Sequence, residues 1–279
     1  MCDEAGRRMS EGARRWSRRD LLRRSALLAG GAVFGAVATE TWWRTRRLPI
    51  GGGPASATVG NRIQDVGSGA LTAVWSVATE RPLVALTFDD GPAPQWTPMV
   101  LDTLARHQVP ATFFLVGAKV RKHADVVRDR LGEHEVGNHS WAHHDLAQRD
   151  AAEAYDDLSR SHDAIADVTG RTPRLIRPPY GHMGGAVLHA AARLNCRLVL
   201  WSLQMVEGQY PDDPAGHARR IVGDVRPGTI LLGHDVGPRN RLVALNGLPD
   251  MINGLRDRGY TFVTVSTLLG AGVSPAQTG

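Results

Sequence analysis

Between residue 82 and about residue 270, apolar runs alternate with stretches of helical periodicity, and this alternation restricts the fold more than any other feature of the chain. Runs near 83–89, 111–116, 134–138, 174–177, 197–202, 228–233 and 261–265 predict strands. The patterns near 95–107, 119–131, 150–169, 184–195, 214–222 and 243–258 predict helices. The punctuation agrees: Pro110 and Pro173 precede strands, Gly170 and Gly259 follow helices, and Pro227-Gly228 opens a strand. Leu83-Val84-Ala85-Leu86 is apolar on both faces, which suits a strand buried in a parallel sheet. The expected class is therefore α/β, a distorted, incomplete (β/α) barrel of about seven parallel strands, with a doubly wound open sheet as the alternative.

The rest of the chain is of a different kind. Residues 1–38 carry eight arginines against four acidic residues, so most of the formal net charge of +5 belongs to this segment. The body is close to neutral and gives no reason to expect a nucleic-acid partner. Ser17-Arg18-Arg19-Asp20-Leu21-Leu22-Arg23 is followed by the uncharged stretch 25–38. That stretch is shorter than the ~20 residues of a membrane span but fits the apolar region of a signal peptide, roughly 7–15 residues. The arginine pair resembles a twin-arginine export signal, and Ala36-Val37-Ala38 offers a small-residue cleavage site. The segment 1–38 is thus expected to act as an export signal or an N-terminal anchor. It would engage the export machinery and place the protein outside the cell or at its envelope. Residues 39–80 read as a linker or extension, with an extra strand expected at 71–77, and 271–279 as a loose tail. Cys196 is the body's one cysteine, so no disulfide forms within it.

Polar residues gather where the predicted strands end. Asp89 and Asp90 follow the first strand, His139 and His143 the third, Arg177 and Tyr180 the fourth, His234 and Asp235 the sixth. In a (β/α) barrel the C-terminal strand ends share one face, so separation along the chain becomes convergence in space. Adjacent residues on a strand point to opposite faces, so Asp89 and Asp90 reach one site only if the chain bends, and Gly91-Pro92 is where it would bend. His139-Ser140-Trp141-Ala142-His143 places two imidazoles on one face of a helical turn, about 5–6 Å apart at Cβ. With one carboxylate they form a three-ligand metal set that leaves a position open, the arrangement of a catalytic site. Zn²⁺ is the first expectation, and Co²⁺, Ni²⁺ or Mn²⁺ also suit these donors. The second Asp is then free to take a proton from water, His234 to give one to a leaving group, and Arg177 to pair with an Asp.

Thr87-Phe88-Asp89-Asp90-Gly91-Pro92, His139-Ser140-Trp141-Ala142-His143, Arg177-Pro178-Pro179-Tyr180-Gly181 and Leu232-Gly233-His234 stand in the order and approximate spacing of the polysaccharide deacetylases. That family includes peptidoglycan and chitin deacetylases and some acetylxylan esterases, and the resemblance covers about 82–268. It implies Asp89 as general base and Asp90, His139 and His143 as metal ligands. It also implies that Arg177 orients Asp89, that the Tyr180 backbone N–H stabilises an oxyanion, that His234 protonates the leaving group and that Leu232 lines the acetyl pocket. The implied substrate is a glycan chain lying in an open groove.

One motif departs from the family pattern, which begins with Trp and carries two acidic residues and a second Trp. Here Trp201 is present, Gln204 and Glu207 occupy the acidic places, and Gly208 replaces the second Trp. A Gln cannot stabilise an imidazolium as a carboxylate does, so His234 depends on Glu207 for that support. Tyr210 is a candidate to refill the apolar wall. The leading expectation is an N-deacetylase of an envelope glycan. O-deacetylation of a polysaccharide uses the same residues, and a glycan-binding module with a vestigial site is the reading from a different class.

Overall fold

The computed structural model of the chain describes residues 71–272, so the expected leader, most of the linker and nearly all of the tail lie outside the described residues. No helix among the described residues is long and apolar enough to cross a membrane.

Nine strands form one sheet: β1 (Ala73–Val74), β2 (Leu83–Asp89), β3 (Thr112–Leu115), β4 (Glu135–Asn138), β5 (Leu175–Ile176), β6 (Arg197–Val199), β7 (Leu203–Gln204), β8 (Thr229–His234) and β9 (Thr261–Val263). Every ladder between them is parallel. The order β1-β6-β5-β4-β3-β2-β8-β7 leaves β1 and β7 at the two ends, so the barrel is incomplete, as expected. β2 is its axis. Its upper half pairs with β3 on one side, its lower half with β9 on that same side, and its length with β8 on the other.

Helices fill the connections: α1 (Thr97–His107), α2 (Gly117–Lys122), α3 (Ala124–Val127), α4 (Ala151–Thr169), α5 (Gly185–Arg193), α6 (Pro214–Asp224), α7 (Leu242–Asn246), α8 (Leu248–Asp257) and α9 (Val265–Gly270). α4 shows why these segments become helices. Asp150 and Glu153 form a reciprocal capping box at its start, its buried residues recur at helical spacing, and Gly170 closes it in the left-handed region at φ 69°.

The two-residue period of β2 sorts its side chains. Val84, Leu86 and Phe88 join the large core between the sheet and helices α1, α6 and α8. Leu83 and Ala85 face the inside of the barrel, where Phe114, Leu175, Val199, Ile230 and the α9 residues Val265 and Leu268 close its lower end. The same period carries Thr87 and then Asp89 into the upper interior. β8 does likewise with Ile230, Leu232 and His234, and Asp89 and His234 are register partners. A third core seats α4 and α5 against β5 and β6. The fold thus closes its lower end with hydrocarbon and delivers polar side chains to its upper mouth.

Candidate active site

Arg177, directly after β5, is fully buried. Its Nη1 donates to Asp89 Oδ1 at 2.7 Å and to Thr87 Oγ1 at 2.8 Å, while Nε and Nη2 donate to the carbonyls of Val199 (3.1 Å) and Leu200 (2.9 Å). Its guanidinium stacks on Phe114, 4.1 Å from the ring centroid. Phe114 has that place because β4 offers Gly137, where a Cβ would lie 2.4 Å from its ring. Burial pulls the Arg177 pKa down and the adjacent Asp89 carboxylate opposes that pull. Asp89 is thereby fixed through one oxygen, and its Oδ2 is left 3.7 Å from His139 Nε2, facing the mouth.

Asp90 turns to the same side because its φ is 77°, the bend that the sequence requires at the strand end. Lys119 Nζ holds this turn by donating to the Asp90 carbonyl at 2.7 Å. Asp90 Oδ1 lies 3.0 Å from His143 Nε2 and 3.5 Å from His139 Nε2, yet makes no aligned hydrogen bond. His139 Nδ1 sits 2.6 Å from the Arg177 carbonyl and donates to it, which in the neutral ring leaves Nε2 with a bare lone pair. An orphaned carboxylate oxygen facing imidazole lone pairs, all within 4.8 Å of one another, is the donor set of a divalent cation. Burial pushes His139 down, but Asp89 and Asp90 outweigh it and raise its pKa. Burial likewise pushes Asp90 up, while the two imidazoles hold it well below the usual carboxylate range.

The histidines do not converge on a helical turn, as the spacing suggests. Residues 139–145 form an irregular loop with positive φ at Ser140 (69°) and His143 (59°). The Asn138 side chain organises it, accepting from the Ser140 N–H at 3.0 Å and donating to the Leu158 carbonyl on α4 at 2.8 Å. Ser140 Oγ then accepts the His143 N–H at 2.9 Å, and Asp157 of α4 accepts the Trp141 N–H at 2.6 Å.

The remaining predicted residues surround this centre. Tyr180, at φ 62°, sets its ring edge-on to His143 with centroids 4.9 Å apart and is 59% exposed. Trp201 packs over Gly181, and its ring centroid lies 5.7 Å from the Arg177 guanidinium carbon. Leu232 is buried on β8, and His234 ends that strand with Nδ1 buried and without a partner among the described residues. In the altered motif Gln204 is exposed. Glu207 is buried with Oε1 unpartnered, and burial raises its pKa against the pull of Arg241. No hydrogen bond joins Glu207 to His234 among the described residues. Tyr210 packs edge-on against His217 of α6.

Sequence reasoning missed two contributors and placed a third, Asp235, at a strand end without giving it a role. Lys119 and Arg241 each touch Asp90 from distant elements, and no motif announces either. Asp235 lies wholly buried under the bend, where it accepts from Thr97 Oγ1 at 2.6 Å and packs against Gly91, whose missing side chain makes the room. Burial raises the Asp235 pKa to about 7.

Two histidines and a carboxylate beside a fixed, mouth-facing carboxylate, all at the C-terminal strand ends of a (β/α) barrel, define a metallohydrolase-type centre. The polysaccharide deacetylase family model matches residues 76–199. Among similar proteins, the peptidoglycan-N-acetylglucosamine deacetylase PgdA of Listeria monocytogenes is 36% identical over 189 residues, 67% of this chain but 39% of the relative, so the chain spans well under half of that protein. The chitooligosaccharide deacetylase of Bradyrhizobium sp. is 41% identical, with 63% of this chain and 86% of that protein covered. A crystal structure of the Bc1960 peptidoglycan N-acetylglucosamine deacetylase, in complex with 4-naphthalen-1-yl-N-oxidanyl-benzamide, superposes with a TM-score of 0.68 at 30% identity, covering 72% of this chain and 94% of that one. The chain belongs to the polysaccharide deacetylase family.

Two stability measurements follow from this geometry. Arg177→Met strands a buried Asp89 carboxylate and should cost about 3–5 kcal/mol in urea unfolding of the metal-free chain. Adding Asp89→Asn should recover part of the loss; no recovery would put the whole cost in the severed backbone hydrogen bonds. Asp235 holds its proton more tightly folded than unfolded, so its contribution is full below its ordinary pKa of 3.8 and is lost as the pH rises through about 7. Asp235→Asn, which cannot ionise, should therefore gain stability relative to the natural chain between about pH 4 and pH 8 in metal-free buffer. A pH-independent difference would refute the shift.

Proposed function

We propose that the chain is a metal-dependent hydrolase that removes acetyl groups from an N-acetylated cell-envelope glycan and releases acetate. The observation that carries this reading is the division of labour between adjacent aspartates. Asp89 is pinned through Oδ1 and presents Oδ2, while Asp90 presents Oδ1 to the two histidines. Asp90, His139 and His143 would hold the ion, with Zn²⁺ the default and Co²⁺, Ni²⁺ or Mn²⁺ compatible. A divalent ion bound there supplies Lewis acidity toward the acetyl carbonyl and toward water.

The chain's own residues account for the proton movements. Asp89 Oδ2 takes a proton from the attacking water as its oxygen bonds to the acetyl carbon, and Arg177 keeps that carboxylate in place. The Tyr180 backbone N–H, set by the positive φ of that residue, donates to the developing oxyanion. His234, beside Asp89 in register on the neighbouring strand, protonates the amine as the carbon–nitrogen bond breaks. Leu232 shapes the acetyl pocket, and Trp201 and Tyr180 flank the groove. The twin-arginine-like leader supports a location outside the cytoplasm, where such a glycan lies.

The chain stripped of metal and reloaded with Zn²⁺ or Co²⁺ should release acetate from N-acetylglucosamine oligomers or peptidoglycan. Asp89→Asn should lower turnover by roughly 10²–10⁴-fold with metal content unchanged. Release from O-acetylated glycans alone would reassign the leaving group. Equal glycan binding with no turnover by either form would make the chain a binding module. For the leader, replacing Arg18 and Arg19 by Lys should retain the protein in the cytoplasmic fraction; undiminished export would discard the twin-arginine route.

A further inference from the structure

The two oxygens of Asp90 have different neighbours. Oδ1 faces the histidines, and Oδ2 is 3.5 Å from Nη1 of Arg241. Arg241 ends a short 3-10 turn, Arg239–Arg241, in the connection between β8 and α7. It is the one side chain paired with Oδ2 among the described residues.

The surroundings of Arg241 form a slot for it. Gly237, at φ 139°, lies beneath its stem, where a Cβ would be 2.6 Å from Nε and 2.7 Å from Cδ. Any other residue there would displace the guanidinium. Glu207, buried and with Oε1 unpartnered, is close enough for the charge of Arg241 to oppose the upward push of burial. The neighbouring Asn240 covers Gly208, with Nδ2 3.9 Å from the place of a Cβ. The Arg239–Arg241 turn therefore stands against the position where the family resemblance expects a second Trp, and it brings a cation to the metal side of the wall.

The geometry points to Arg241 as a positioning residue for the metal ligand Asp90. A carboxylate on a single χ2 axis can swing, and a guanidinium on Oδ2 selects the orientation that offers Oδ1 to the histidines. Such outer partners of ligating groups govern metal affinity, typically by 10–100-fold. Arg241 also carries a positive charge toward a cation site. The inference is that orientation outweighs this repulsion, because the guanidinium pairs with Asp90 itself.

The test uses the full chain as natural protein, Arg241→Met and Arg241→Lys. Zn²⁺ and Co²⁺ dissociation constants are read by competition with a chromophoric chelator, and the bound Co²⁺ by its visible spectrum. Arg241→Met should weaken binding about 10–100-fold and shift the cobalt spectrum, with partial recovery in Arg241→Lys. A role confined to anchoring the loop would lower the melting temperature of the metal-free chain and leave both metal readouts in place. Affinity within twofold of the natural chain with an unchanged spectrum overturns the inference, and so does tighter binding. The inference rests on the proposed metal site, which Asp90→Ala tests separately. Indifference to Asp90→Ala removes the site and the inference together, whereas sensitivity to Asp90→Ala with indifference to Arg241→Met removes the inference alone.

Discussion

The buried pair of Arg177 and Asp89 is the interaction on which the rest of the site depends. Moving both charges out of water is costly, and a bare pair seldom repays that cost. Here the guanidinium also satisfies Thr87 and the carbonyls of Val199 and Leu200, and it lies on the face of Phe114. Its own carbonyl receives Nδ1 of His139. One residue therefore ties together the ends of β2, β5 and β6 and the first histidine after β4. It also sets the tautomer that makes that histidine a cation ligand when neutral. The proposed base and the candidate metal site are not independent: the group that fixes Asp89 also orients His139.

That coupling explains why the backbone between them is contorted. Asp89 reaches the mouth by strand periodicity alone, but Asp90 and His143 require positive φ, and Ser140 shares that cost. The strain persists because side chains from elsewhere hold each bend: Lys119 on the Asp90 carbonyl, Ser140 Oγ and Asn138 on the histidine loop, and Asp235 with Thr97 beneath Gly91. The polar residues around the centre serve largely to keep three uncomfortable peptide units in place.

This division also decides what could be read from the sequence. β2, β3 and β8 were legible because continuous apolar runs have few alternatives in a parallel sheet. Asp89, Asp90, His139, His143, Arg177 and His234 were legible as a group because strand ends share a face. The helix expected at 119–131 is instead α2 and α3, divided at His123, which leaves the helical region at φ −128° and ψ 45°. The one expected at 243–258 breaks at Gly247, where α7 and α8 meet and a Cβ would lie 2.5 Å from the Pro214 carbonyl of α6. The second break answers a tertiary contact that periodicity does not record. β7 has two residues and no pattern to detect. α9 went unread although Thr264 accepts from the Thr267 N–H as an ordinary N-cap, because Val263-Thr264-Val265 reads as the end of a strand. Lys119, Arg241 and the role of Asp235 were illegible for a different reason: each acts through a partner that only the folded chain brings near.

The base and acid sides of the mouth are built to different standards. On the base side Asp89 is held by a guanidinium that is itself held at four points. On the proposed acid side, among the described residues, His234 has Nδ1 without a partner, Glu207 has Oε1 without a partner, and Gln204 is exposed. Beside Gly208, where the family pattern has an indole, lies the Asn240 amide. The proposed water-activating side is thus fixed by the fold, whereas the proposed acid side is where this chain departs from its family's pattern.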